Sequence, residues 1–181
     1  ALVAEMQRGG GIITREDLRR YTPKWRDPVV STYRGHTLIT MPPASSGGIT
    51  MTETFNILET FAPLPAFGSA EYLHLLAESF RRAFIDRNAK LADPDFVPGP
   101  RDELTSKTYA RTLAAQIDRN RASRTPAFQG GREPEHTTHY SVVDPQGNAV
   151  AVTTTLNLGF GSGVTVEGLG FLLNNEMDDF T

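Results

Sequence analysis

The sequence has no cysteine, which removes disulfides, thiolate catalysis and zinc–thiolate centres without identifying a compartment. It has no apolar run near the roughly 18 residues of a membrane span. Ala1-Leu2-Val3-Ala4-Glu5-Met6 is too short and too soon charged for a signal peptide, and reads as a helix entered midway. Charge of one sign is also scarce: 18 Lys and Arg against 21 Asp and Glu leave a net charge of -3, no basis for gripping a phosphate backbone. No second histidine or cysteine lies at metal-ligand spacing from His74, and neither a metal nor a cofactor is expected. At 181 residues, 39% hydrophobic and 22% charged, the chain has the composition of a soluble globular protein and by length the size of one domain. It stops directly after an acidic loop, so both ends are expected to be cut from a longer protein.

Residues 1 to 8 read as a helix ended by Gly9-Gly10-Gly11. Thr14 with Asp17 is a capping pair for a short helix through Arg20. Val29 to Tyr33 and His36 to Met41 form a hairpin turned at Arg34-Gly35. Pro42 to Gly48 leads into a helix with Met51, Phe55, Leu58 and Phe61 at helical spacing, started by the serines of Ser45-Ser46-Gly47-Gly48 rather than built around an anion. Ser69 caps a helix whose inner stripe is expected to be Ala70, Leu73, Ala77, Phe80 and Phe84, with Glu71, Glu78, Arg81 and Arg82 elsewhere. His74 reads as a satisfied structural histidine, and Asp86, Arg87, Asp93 and Asp95 as loop structure and salt bridges, since a calcium loop's glycine and terminal glutamate are missing. A third helix begins near Thr105 and carries Tyr109, Leu113 and Ile117. Residues 119–136 lose periodicity and read as an exposed connection, with Arg119, Arg121 and Arg124 a solvated helix end.

The chemistry concentrates after that connection. Val142-Val143 and Val150-Ala151-Val152 flank a cluster of Pro, Gly, Asp and Asn, so the stretch around 137–155 reads as a hairpin. A loop of Pro145-Gln146-Gly147 sets Thr137 opposite Thr155 and, by alternation, puts Thr137, Thr155 and Asn157 on one face. A four-residue loop would instead pair Thr137 with Leu156 and turn the polar set over. Gly159-Phe160-Gly161-Ser162-Gly163 fails as a phosphate cradle because β-type sequence, Val164-Thr165-Val166, follows it, and reads instead as a flexible turn between strands, with Gly168 to Leu173 a further short strand. Threonines in valine-rich strands ordinarily serve β propensity. A threonine at a chain terminus is different: its α-amine, with a pKa of about 7.7–8.0 when free, is a base attached to the nucleophile.

The run Thr137-Thr138-His139-Tyr140-Ser141-Val142-Val143-Asp144, then Thr155-Leu156-Asn157 and Leu172 to Phe180, resembles the start of the small subunit of γ-glutamyltranspeptidases. Ala92-Asp93-Pro94-Asp95-Phe96 and Ser45 to Gly48 resemble large-subunit sequences, dividing the chain into a mostly helical large-subunit part, 1–136, and a small-subunit part, 137–181. The resemblance implies an α+β fold, the four-layer αββα sandwich of N-terminal-nucleophile hydrolases, only partly covered by this chain. It implies a precursor cut between His136 and Thr137, Thr137 as nucleophile, Thr155 as its hydrogen-bonding neighbour, and Asn157, Glu176 and Asp179 as ligands of the glutamyl α-amino and α-carboxylate groups. Glu176 stands where some relatives have glutamine. His136 and His139 rank below the α-amine as bases, since no orienting acid is identifiable for them.

The implied substrates are glutathione and related γ-glutamyl amides with an amino-acid or peptide acceptor, and the implied partners are the remainder of the large and small subunits. The implied location is periplasmic or secreted. The family's substrate-clamping arginine, catalytic Ser-Ser and oxyanion Gly-Gly fall outside this stretch, so these residues alone are expected to be inactive. A cephalosporin-acylase-like or poly-γ-glutamate-processing enzyme, and an unprocessed non-catalytic scaffold, are the alternatives.

Overall fold

A computed structural model describes residues 1–124 and 137–179. Where length predicts one domain, the chain forms two compact units: Lys24–Ala127, and Ala1–Pro23 together with Phe128–Thr181. One unit joins segments from opposite ends of the sequence, a pairing that chain length cannot reveal.

The central unit begins with the hairpin β1 (Val29–Tyr33) and β2 (His36–Thr40), in register Val29↔Thr40 through Tyr33↔His36, as the Arg34-Gly35 turn predicts. The helices α3 (Gly47–Glu59), α4 (Ala70–Lys90), α5 (Arg101–Leu104) and α6 (Lys107–Ala114) follow. The core joins Ile57 and Leu58 of α3 with Leu75 of α4 and Ala110, Leu113 and Ala114 of α6, while Val29, Ile49 and Leu104 form a smaller cluster. Ser69 and Ser106 cap α4 and α6, accepting from the backbone N–H groups of Tyr72 and Tyr109 at 3.2 and 3.0 Å.

Helix α3 is buried nearly all round, so its threonines must satisfy their hydroxyls internally. Thr50 and Thr54 do so by donating to the carbonyls of Ser46 and Thr50, at 2.9 and 2.8 Å. Ser46 occupies the cap position without capping: its hydroxyl accepts from Arg87 Nε at 3.0 Å. The tight start of α3 depends on Gly48, where a Cβ would lie 2.1 Å from the Met41 carbonyl oxygen.

The face of α4 that turns inward is not the one its aromatic spacing predicts. Leu73, Phe80 and Phe84 are 53%, 43% and 43% exposed, whereas Leu75, Glu78, Ser79, Arg82, Ala83 and Asp86 are buried. The reason is charge matching: Glu78 and Arg82, four residues apart, pair at 2.5 Å. Ser123 donates its backbone N–H and its hydroxyl to Glu78 at 2.8 and 2.7 Å, and Arg82 donates to the Gln116 carbonyl at 2.8 Å. Burial raises the Glu78 carboxyl, but the hydrogen bonds from Arg82 and Ser123 prevail and hold it at about 2.

A second buried polar group lies between α3, α4 and α6. Asp86 accepts from Tyr109 Oη at 2.7 Å and pairs with Lys90 at 2.9 Å, and Lys90 also donates to Tyr109 Oη at 2.9 Å. Glu53, 1% exposed, has no hydrogen-bond partner for either carboxyl oxygen among the described residues. Burial, with the neighbouring Asp86 adding to it, pushes its carboxyl up to about 8. The structural reading of His74 holds: its Nε2 lies 2.8 Å from the Asp118 carbonyl oxygen. Asp95 pairs with Lys24, and with Arg26 at 2.8 Å, and Arg119 pairs with Glu71 at 2.5 Å.

The other unit contains α1 (Leu2–Gly9), ended by Gly10 in the left-handed conformation, and α2 (Arg15–Arg20), opened by a Thr14–Asp17 capping box. Strands β3 (Thr137–Val143) and β4 (Ala149–Thr155) form its hairpin, and Glu176–Asp179 is a 3₁₀ turn. The strand expected over Gly168 to Leu173 is absent apart from an isolated Thr165↔Leu172 bridge. Gly168 and Gly170 take φ of 78° and 70°, which folds the segment into a turn instead. Among the described residues no helix is long and apolar enough to cross a membrane.

Candidate active site

The tip of the β3–β4 hairpin fixes everything at its open end. Asp144 Oδ1 accepts from the backbone N–H groups of Gln146 and Asn148 at 3.0 and 2.8 Å, and the Asp144 N–H donates to the Asn148 carbonyl at 3.0 Å. Gly147 supplies the φ of 85° that closes the loop. These bonds, led by those from Asn148, hold the Asp144 carboxyl below its ordinary range. Three residues therefore separate Asp144 from Asn148, and the register is Thr137↔Thr155, Thr138↔Thr154 and His139↔Thr153. The three-residue reading of the loop holds, and the four-residue alternative does not.

Thr137 stands exposed at the first position of β3, opposite the half-buried Thr155. His139 sits two residues along, its Nδ1 2.7 Å from Thr153 Oγ1, which occupies it within the sheet. His136 lies outside the described residues, as does the side chain of Asp179.

Strand alternation does not carry Asn157, because β4 ends at Thr155 and Asn157 has a φ of 71°. Asparagine tolerates that left-handed backbone better than most side chains. Its N–H donates to Thr155 Oγ1 at 2.8 Å, linking it to the strand end by a turn instead of by pleat. The residue is 4% exposed, and its Nδ2 donates to the Asn175 carbonyl at 3.0 Å.

Glu176, exposed, opens the 3₁₀ turn, with its backbone N–H donated to Asn174 Oδ1 at 3.0 Å. The same turn brings in Asp178 and, by its backbone, Asp179. The loop before it is held to Gly161, Ser162 and Val164: the Leu173 carbonyl accepts from the Ser162 N–H at 2.9 Å and hydroxyl at 3.1 Å, and the Leu173 N–H donates to the Val164 carbonyl at 2.9 Å. Gly161, at φ 54°, passes so close that a Cβ would meet the Leu173 oxygen at 2.1 Å. The expected flexible turn at 159–163 is thus a fitted support for the acidic turn.

Asn175, for which the sequence predicts no role of its own, ties these segments together. Its N–H donates to the Leu156 carbonyl at 3.1 Å, its carbonyl accepts from Asn157, its Oδ1 accepts from the Leu158 N–H at 3.1 Å, and its Nδ2 donates to Asp178 Oδ2 at 2.7 Å. The only signal was an asparagine pair ahead of an acidic run. Among the described residues no group of three or more His, Asp or Glu is placed to hold a metal ion.

Comparison with known proteins gives a consistent result. The family model for gamma-glutamyltranspeptidase matches residues 1–181. A glutathione hydrolase proenzyme of Escherichia coli (strain K12) is 48% identical over 99% of this chain and 32% of its own length. An Acylase ACY 1 proenzyme of Pseudomonas sp. (strain SE83) is 40% identical over 99% and 32%. The chain spans about a third of the length of these curated relatives. Among solved structures, Helicobacter pylori gamma-glutamyltranspeptidase covers 68% of this chain at 40% identity with a TM-score of 0.66, the match spanning 36% of that chain. A cephalosporin acylase from Bacillus halodurans covers 99% at 26% identity with a TM-score of 0.82, spanning 32% of that chain.

Proposed function

Since the chain belongs to the gamma-glutamyltranspeptidase family and carries part of its α+β N-terminal-nucleophile hydrolase fold, we propose that Thr137 is the nucleophile of a γ-glutamyl transferase or hydrolase released by cleavage after His136. In the precursor, Thr137 Oγ attacks the His136 carbonyl, and the peptide nitrogen leaves as the α-amine of Thr137. Water then hydrolyses the ester, regenerating the hydroxyl. The new amine serves as base: it takes the Oγ proton as Oγ attacks the γ-carbonyl of a γ-glutamyl amide such as glutathione, and hands it to the departing amine. The acyl-enzyme ester passes to water or to an acceptor amine.

The observation that carries this reading is the Thr137↔Thr155 pair, with Thr137 exposed at the strand end. That pairing supports Thr155 as the proposed hydrogen-bonding neighbour of Thr137 Oγ. Asn157, Glu176 and Asp179 are proposed to receive the α-amino and α-carboxylate groups, a carboxylate against an ammonium being the stronger, charge-assisted kind of contact. The rest of the large and small subunits completes the site in this reading, supplying the arginine and oxyanion donors, and a periplasmic or secreted location goes with it. The likeness to acylases favours a second reading, the same threonine machinery with a pocket for another acyl group.

N-terminal sequencing of the intact protein after processing tests the proposal: a small-subunit band beginning at Thr137 is expected. Thr137→Ala should abolish both cleavage and γ-glutamyl anilide turnover. A permanently single band would overturn it in favour of an unprocessed scaffold, and normal turnover by Thr137→Ala would overturn the assignment of the nucleophile.

A further inference from the structure

Five hydrogen bonds converge on Asn175, and they divide unevenly. Three tie it to Leu156, Asn157 and Leu158, the segment that leaves the end of β4 carrying Thr155. The other two run to Asp178, on the turn that begins with Glu176: the Asp178 N–H donates to the Asn175 carbonyl at 3.0 Å, and the Asn175 amide Nδ2 donates to the Asp178 carboxylate. The two segments are 17 to 22 residues apart in sequence, so no local propensity holds them together. Both ends of the side-chain amide are used, one as acceptor and one as donor, a combination that aspartate, serine or alanine cannot reproduce.

We propose that Asn175 is a positioning residue for substrate recognition. It sets the acidic turn at a fixed distance from the Thr155 end of the hairpin, and thereby sets how tightly the ammonium-bearing end of the donor is held while the γ-carbonyl meets Thr137. The role rests on the proposed function and touches neither the nucleophile nor the bond broken. Asn175 also keeps Asp178 engaged, so that in a turn holding three carboxylates this one is turned toward an amide donor. Aspartate at position 175 would keep the acceptor for Leu158 but set a like charge against Asp178.

The test uses the intact, processed enzyme with two anilides, γ-glutamyl and glutaryl, which differ only in the α-amino group. Asn175→Asp is expected to raise KM for the γ-glutamyl anilide by about tenfold, the scale of one lost hydrogen bond to a charged group, with kcat changed by less than about threefold and the glutaryl anilide KM unmoved. Adding Asp178→Asn exchanges donor and acceptor across the same contact and should restore the γ-glutamyl KM. Equal losses on both anilides, an unmoved KM, or failure of the double variant to rescue would overturn the proposal. If Asn175→Asp does not fold, the double variant decides: recovery of wild-type KM supports the proposal, and continued misfolding overturns it. Turnover that survives Thr137→Ala refutes the proposed function instead, so the two failures are distinguishable.

Discussion

Glutamine at position 53 should flatten the pH dependence of stability. Glu53 is walled in by α3 with Asp86 and Lys90 of α4 facing it, Tyr109 of α6 beside them and Glu103 of α5 contributing repulsion. The carboxyl is therefore protonated at neutral pH, which spares it the repulsion of the neighbouring Asp86. Because its folded pKa is raised, the folded state binds more protons than the unfolded one between the two values. The stabilisation is complete below the ordinary 4.5 and is lost as pH climbs through about 8. That interval is roughly 3.5 pH units, and at 1.36 kcal/mol per unit it has a ceiling of about 5 kcal/mol. Only part of that interval lies between pH 5 and 8, and water entry and relaxation around Lys90 lower the ceiling further, leaving a decline of about 2–3 kcal/mol over that range.

Urea midpoints of the intact protein at half-unit pH steps would show the decline, and in Glu53→Gln the curve should be nearly level over the same range. The variant's absolute stability is a separate matter, since its amide brings two donors into a buried site. Parallel curves for the two proteins would refute the assignment of a neutral, titrating Glu53.

Two further substitutions probe the buried pair and the supported loop. Arg82→Ala strands the Glu78 carboxylate and should cost about 3–5 kcal/mol in denaturant unfolding; because the Glu78 pKa is depressed, the pair's contribution is present above about 4.5 and disappears as pH falls toward 2, so a cost of the same size at pH 2 and pH 7 would contradict the pairing. Gly161→Ala must hold alanine in a left-handed backbone, costing about 1–2 kcal/mol, and press a methyl onto the Leu173 carbonyl. Amide hydrogen exchange at Ser162 and Leu173 should accelerate at least about fivefold by that cost, and unchanged protection would show that the close approach is not maintained.

Much of this molecule is legible in its sequence where one residue decides one bond. Thr14 with Asp17, Ser69 and Gly10 mark helix ends because their chemistry acts within four residues. The β3–β4 register follows from the valines and the Asp144 to Asn148 loop. What escapes is whatever depends on a distant partner. The inner face of α4 was misread because hydropathy scores Glu78 and Arg82 separately, although paired with each other and with Ser123 and Gln116 they are at home inside. Alternation could not place Asn157, since it presumes a pleat that stops two residues earlier. Asn175 gives little local sign because three of its hydrogen bonds go to the distant segment Leu156, Asn157 and Leu158.

The hairpin tip carries a constraint on length as opposed to identity. Side chains there can be exchanged as long as the aspartate and the glycine keep the loop closed, but an inserted or deleted residue slides one strand past the other. The threonine at the far end would then face a leucine or its own neighbour's partner. Gene comparisons and engineered libraries alike should treat those three positions as a spacer whose count is transmitted along both strands to the pairing of Thr137 with Thr155.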